Sequence, residues 1–171
     1  ESLASLVGSE MCIRDSYNLD PDLMPIAKGL SSGYLPIGGV LVHDRVGDVL
    51  QEKGGEFSHG FTYSGHPASC SVALENLKIV EDEKLVEKVK HETGPHLKVR
   101  WQEFNSHPLV AEVRNVGLLG ALELSPDKSS RAPFPEPGKT GYLCRDICFK
   151  NGLVMRSVKD TMIISPPLII S

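Results

Sequence analysis

Lys28 has the strongest claim to chemistry in this sequence. Ile26-Ala27 precede it and Gly29-Leu30 follow, so no partner charge lies beside it. A lysine held in apolar surroundings has its ammonium form disfavoured; its pKa falls and the free amine becomes a nucleophile able to form a Schiff base. Most lysines are simply solvated, so the segment around Lys28 has to decide. Other clusters carry less. His59, His66 and Cys70 do not have the spacing of a standard zinc site and read as loop and helix-start packing. Cys144 and Cys148, four apart, share one helical face and read as small buried hydrophobes. No metal is expected.

The elements that must position Lys28 follow from pattern. Residues 24–42, MPIAKGLSSGYLPIGGVLV, read as a strand, an irregular loop rich in Gly, Ser and Pro, and a second strand starting at Gly39. Asp44 to Glu52 has helical spacing in Val46, Val49 and Leu50, and Lys53-Gly54-Gly55 stops it. The loop EFSHGFTYSGHP comes next. From Ala68, the residues Val72, Leu74, Leu77, Val80, Leu85, Val86 and Val89 predict a long amphipathic helix or helix pair reaching about Phe104. Its charge run EDEKLVEKVKHE reads as a solvated face. After His107-Pro108 the runs VAEVRNVG and LLGALEL predict strands, and SPDKSSRAPFPEPGKTG predicts a mobile loop. Tyr142 to Lys150 reads as a helix stopped at Asn151-Gly152; LVMRS and TMIIS read as strands around the turn Val158-Lys159-Asp160. A boundary is expected near His107. Residues 17–106 would be the edge of a large α/β domain, and 107–171 a smaller α+β domain.

With 171 residues, 40% hydrophobic and 23% charged, the chain can bury a real core. A net charge of -4, a pI near 5.9 and scattered basic residues argue against nucleic acid as a partner. The apolar stretch Met162 to Ile170 is broken by Pro166-Pro167 and falls short of the ~20 residues that a membrane-spanning helix needs, so no membrane partner is expected. The four cysteines form no disulfide framework, which fits a reducing cytoplasm. The opening ESLASLVGSEMCIRDS is different in kind: it lacks the positive n-region of a signal peptide. Its Val7–Ser16 stretch, VGSEMCIRDS, resembles the translation of a transposon adapter used in sequencing libraries. Residues 1–16 are therefore expected to be a sequencing-adapter artefact, with genuine protein starting near Tyr17.

Residues 24–42 resemble the lysine segment of class III aminotransferases, of the omega type, which are pyridoxal-phosphate (PLP) enzymes of fold type I. That family's pattern, apolar-Ala-Lys-Gly-Leu followed by Gly-Tyr-x-Pro-apolar-Gly, is met here residue for residue. Ser58–Pro67, SHGFTYSGHP, is similar to the family's His-Gly-x-Thr-Tyr-x-Gly-His-Pro loop. Gly152–Ile170, GLVMRSVKDTMIISPPLII, is similar to its Gly-Leu-x-x-Arg, Gly-Asp and Pro-Pro-Leu pattern. Three motifs in the right order carry far more weight than any isolated match. The implied fold is α/β: the C-terminal part of the PLP-binding large domain plus the small α+β C-terminal domain, truncated at both ends.

The resemblance also implies roles. Lys28 would carry PLP and move a proton at the substrate carbon. Thr62, with the backbone of Phe61, would bind the PLP phosphate of the neighbouring subunit, making a homodimer part of the active site. Arg156 would pair with a substrate carboxylate or turn away for an uncharged amine; a surface salt bridge is the plainer reading of that arginine. The implied reaction moves an amino group from an amine or amino-acid donor to an oxo acid such as pyruvate. Lys159 departs from the pattern, standing where the family has glycine before Asp160. The family's Gly-rich phosphate cradle, ring-stacking aromatic and pyridinium carboxylate would lie upstream of this sequence, and its final helix downstream, so this chain alone is expected to be a poor catalyst. An aminomutase or decarboxylase of the same fold, or a non-catalytic dimerisation module, are the alternatives.

Overall fold

The computed structural model describes residues 17–171; the stretch expected to be adapter-derived, 1–16, lies outside the described residues. The chain divides between Lys84 and Leu85 into two compact units.

In the first unit, β1 (Leu23–Ile26) and β2 (Gly39–Val42) pair antiparallel, from Leu23 opposite Val42 to Ile26 opposite Gly39. Between them the chain makes one turn of 3-10 helix at Lys28–Leu30 and then an irregular loop, the strand, loop and strand expected from the pattern. β2 runs into α1 (Asp44–Lys53), where the His43 side chain accepts the Arg45 N–H and Asp44 lies in the first turn. Arg45 reaches back to Asp20 at 3.1 Å and to Asp22, tying the chain ahead of β1 to this helix. α2 (Pro67–Asp82) starts with His66 accepting from Ser69 N and with proline at a first-turn position, where a missing N–H costs nothing.

The buried stripe of α2 differs from the expected one. Ala73 and Val80 are buried and Leu77 half-buried, at spacings of four and three, while Leu74 is 68% exposed because it falls outside that stripe. Ala73 packs with Leu30, and Met24, Ile26, Ile37 and Leu77 close around them. This small core, not the strand ladder alone, holds the Lys28 turn against α2; full burial of one such Leu is worth about 1.5–3 kcal/mol.

The expected long helix is broken at Lys84, whose φ of 51° is left-handed. The second unit opens with α3 (Leu85–Lys88), a π turn at Val89–Thr93, and α4 (Gly94–Gln102). A four-stranded antiparallel sheet follows in the order β3 (Val110–Val116), β4 (Leu119–Leu124), β6 (Thr161–Ile164), β5 (Arg156–Val158). Val113, Leu122, Met162 and Ser157 are in cross-strand register. Leu122 and Met162 join Trp101, Val110 and Met155 in one core, with Leu97 of α4 packed against it. Met162 is only 1% exposed, and Trp101 donates its indole N–H to Ala121 O at 3.3 Å. The boundary expected near His107 thus lies inside this unit, since α4 supplies its core.

Cys144 and Cys148 of α5 (Lys139–Lys150) pack against the same core. Burial pushes the Cys144 thiol up from its ordinary value, with Cys148 adding to the effect, so it stays neutral. The Pro- and Ser-rich segment between β4 and α5 carries no strand and no α-helix. Residues 125–132 of it are internally bonded: Ser125 Oγ lies 2.7 Å from Ala132 O, and Asp127 accepts from Ser130 Oγ, Ser129 Oγ and Ser129 N. Those bonds, Ser130's foremost, hold the Asp127 carboxyl down at about 2.

α5 begins at Lys139, three residues before the expected Tyr142, because its first turn is capped from a distance. Asp160, in the β5–β6 turn, accepts from Gly138 N at 2.6 Å and from Gly141 N at 2.9 Å. A carboxylate satisfies the orphan N–H groups and complements the helix dipole. The approach needs glycine at 141, where a Cβ would stand 2.0 Å from Lys159 O. Lys159 itself has a φ of 50°, a conformation that glycine adopts freely and lysine does not, which gives a physical reason for the glycine in the family pattern.

Two outcomes are expected in denaturant titrations of the full-length protein. Gly141→Ala should destabilise the second unit by about 2–3 kcal/mol, because backbone cannot yield as a side chain can. Lys159→Gly should raise stability by roughly 1 kcal/mol through relief of the left-handed strain; a loss instead would show that the lysine side chain repays its backbone cost.

Candidate active site

Lys28 follows β1 by one residue. Ala27 is fully extended, with φ -162° and ψ -160°, and Lys28 then turns to a φ of 49°. The reversal throws the chain into a turn whose own backbone bonds are long: Leu30 N to Ala27 O at 3.1 Å, Ser31 N to Lys28 O at 3.3 Å and Ser32 N to Gly29 O at 3.4 Å. Ser32 and Gly33 also have positive φ, 50° and 78°. Such a run of left-handed residues costs about 1 kcal/mol or more for each non-glycine member, so it persists only where its surroundings determine it.

Those surroundings are on α2. Asn76 Nδ2 donates to Gly29 O at 3.0 Å and to Leu30 O at 3.2 Å, and its Oδ1 accepts from Ser32 Oγ at 2.6 Å. Ser31, only 2% exposed, donates its hydroxyl to Leu35 O at 2.7 Å. The sequence reading passed over Asn76. The available signal was an amide in the middle of an amphipathic helix, a place where asparagine is disfavoured unless its side chain has other work.

Lys28 itself is exposed, and the apolar enclosure expected from its neighbours is not there. Leu30 is buried and Ile26 half-buried, both in the core beneath the turn, so the apolar contacts support the backbone while the amine stands clear. Among the described residues, Lys28 has no ion pair and its amine makes no hydrogen bond.

Phe61 and Thr62 lie in the loop between α1 and α2. The Phe61 N–H, expected to be a phosphate donor, is taken by Ser64 Oγ at 3.0 Å. Thr62 is exposed, and its hydroxyl has no hydrogen-bond partner among the described residues. Aromatic rings line this loop: His59 meets Phe57 and Phe61 edge-on at 5.9 and 5.6 Å, and Phe61 is 78% exposed. No hydrogen bond among the described residues joins the loop to the Lys28 turn, so the structure does not bring these two sequence-predicted groups together within one copy.

Arg156 belongs to the second unit, at the start of the edge strand β5 and opposite Ile163 of β6. It lines an open groove with Tyr142, Arg145 and Phe149 of α5. Arg145 is engaged, 2.8 Å from Asp146 and stacked 5.0 Å over the Tyr142 ring. Arg156 is exposed and has no ion pair among the described residues, so the salt bridge of its plainer reading is absent there. Among the described residues no group of three His, Cys, Asp or Glu side chains converges as a metal site would require, and no helix is long and apolar enough to cross a membrane.

Comparison with known proteins places this arrangement. The profile described as aminotransferase class-III matches residues 8–171. A putrescine–pyruvate aminotransferase of Pseudomonas aeruginosa is 60% identical over 154 residues, covering 90% of this chain and 33% of its own length. The chloroplastic gamma aminobutyrate transaminase 3 of Solanum lycopersicum is 44% identical over 160 residues, 92% of this chain and 31% of its own. Among solved structures, the omega transaminase from Pseudomonas jessenii in complex with PMP superposes with a TM-score of 0.83 at 39% identity, covering 92% of this chain and 35% of that one. A transaminase with L-ala gives 0.85 at 37% identity, over 92% and 38%. The chain thus spans about a third of the length of the relatives it matches, and its fold is that part of the α/β transaminase fold. With a lysine turn, a Thr-bearing loop and a Gly-Leu-x-x-Arg strand in the family's order, the chain belongs to the class III aminotransferases.

Proposed function

We propose that this chain is the segment of a PLP-dependent transaminase that supplies the cofactor lysine, in an enzyme moving an amino group from an amine or amino-acid donor to an oxo acid, with pyruvate as the acceptor. The observation that carries the reading is Lys28: an exposed amine, unpaired among the described residues, on a left-handed turn backed by a packed core. The name of the Pseudomonas aeruginosa relative supports pyruvate and a donor of the amine class.

The donor set suits PLP. Lys28 offers a primary amine to an aldehyde, and Thr62 offers an uncommitted hydroxyl to a phosphate. The Phe61 N–H would have to exchange Ser64 Oγ for a phosphate oxygen, an exchange of one acceptor for a more charged one. When bound, PLP supplies the aldehyde that carries the amine and a ring that delocalises the charge of a deprotonated carbon. Lys28 Nζ would be the base that takes the proton from the amine-bearing carbon of the donor and passes it to the cofactor within the same half of the cycle, and would run the same transfer in reverse for the oxo acid in the other half. Its rigid turn limits the directions from which that proton can be reached.

Thr62 sits on an exposed aromatic loop that is not bonded to the Lys28 turn, which supports its serving the site of a second copy in a homodimer. Arg156 Nη atoms, free among the described residues, would bind a substrate carboxylate bidentately. Neighbouring Arg145 is held by Asp146 and Tyr142 and so is less available for the same task.

Lys28→Ala in the full-length protein should abolish both the visible absorption of lysine-bound PLP and transamination; retention of either removes the lysine assignment. Arg156→Ala should weaken kcat/KM for carboxylate-bearing substrates by about 10- to 100-fold, the worth of a charged hydrogen-bonded contact, and leave a neutral aryl-alkyl amine nearly unaffected. Equal loss for both substrate classes would argue against a carboxylate role.

A further inference from the structure

The turn that carries Lys28 is poorly held by its own bonds. Its three internal backbone contacts run from 3.1 to 3.4 Å, at or past the long end of normal N–H···O geometry. The contacts from Asn76 run from 2.6 to 3.2 Å, within the normal range, and fall on three of the four residues that follow the lysine. One asparagine amide has two N–H donors and one carbonyl acceptor. Here the nitrogen serves the Gly29 and Leu30 carbonyls and the oxygen takes the Ser32 hydroxyl, so each end of the amide is committed to this one turn.

The helix beneath has little freedom to let the amide drift. Ala73 is buried against Leu30, and Leu77 packs on the same cluster, three residues before Asn76 and one after. Apolar contact sets the height of the turn above α2, but such contact is non-directional and does not fix rotation. Directional hydrogen bonds to two successive carbonyls do. They set the planes of the Gly29–Leu30 and Leu30–Ser31 peptides, and so the orientation of the turn from which the Lys28 side chain leaves the backbone.

We propose that Asn76 is a positioning residue for Lys28, holding the left-handed turn in the one orientation that presents the lysine amine to its reaction partner. This rests on the reading of Lys28 as the cofactor lysine. Misplacing a reacting group by a fraction of its working distance is enough to slow a positioned proton transfer heavily without changing how substrate binds.

The test uses the full-length PLP enzyme, with the variants Asn76→Ala, Asn76→Asp, Asn76→Gln and Ser32→Ala. Asn76→Ala should lower kcat by about 10- to 100-fold with little change in KM for the amine donor, and should displace the pH at which the visible absorption of lysine-bound PLP titrates. In PLP-free protein the Ser31 and Ser32 amides should exchange their hydrogens faster. Asn76→Asp keeps the size of the side chain but turns an acceptor towards two carbonyl oxygens, so it should lose at least as much as Asn76→Ala. Asn76→Gln should recover part of the loss, and Ser32→Ala should show a smaller loss of the same kind. Wild-type kcat, titration and amide exchange in folded Asn76→Ala or Asn76→Asp would overturn the proposal. Should neither fold, an unchanged kcat and titration in Ser32→Ala would overturn it. Visible absorption that survives Lys28→Ala would instead sink the underlying reading, whatever the Asn76 variants do.

Discussion

A lysine with left-handed backbone has to be held there. The φ of 49° at Lys28 is unfavourable for any side chain with a Cβ, and two of the next five residues repeat the sign. The rest of the first unit can be understood as what makes that conformation the stable one. The β1–β2 ladder anchors the chain on either side, Leu30 and Ala73 pin the turn from below, and Asn76 grips its carbonyls. None of these would be needed to build an ordinary connection between two antiparallel strands. A tight hairpin would do it in two residues with glycine or asparagine, whereas this chain spends twelve residues between Ile26 and Gly39.

Much of this was legible in the sequence. The Ala-Lys-Gly-Leu segment, the two strands around it and the helices α1 and α5 follow from period and from glycine and proline punctuation, which are local properties. What escaped was polar and distant in sequence. Asn76 lies 44 to 47 residues from the groups it binds, and Asp160 caps a helix 19 to 22 residues away. Hydrogen bonds of that kind leave no periodic trace, because only one residue of each type is required. The unit boundary escaped for a related reason. Helical spacing ran on past Lys84 without interruption, and only the left-handed φ there and the docking of Leu97 and Trp101 on the sheet core show which side of the division α4 belongs to.

Individual errors have equally plain causes. The apolar neighbours of Lys28 suggested an enclosed amine, but the left-handed turn at Lys28 breaks the alternation that would place it on one face with Ile26 and Leu30, so those two reach the core and the lysine stays outside. Leu74 was counted on the apolar stripe of α2 by its spacing of three from Leu77, whereas the buried positions are those in step with Ala73. In the second unit, the lysine found in place of the family's glycine at 159 is accommodated rather than excluded. The hairpin keeps its register, Val158 opposite Thr161, and the strain is carried by one residue. Arg156 therefore keeps its place on β5 despite the departure.

α2 has one property that concerns motion rather than stability. Its first turn leads directly out of the aromatic loop that bears Thr62, and its Asn76 grips the Lys28 turn nine residues further on, about 14 Å along a continuous helix. A helix of that length behaves as a rod. The polar link from that helix to the lysine turn is the Asn76 side chain, with its bonds to two carbonyl oxygens. The loop and the lysine turn are thus attached to the two ends of one stretch of the same helix.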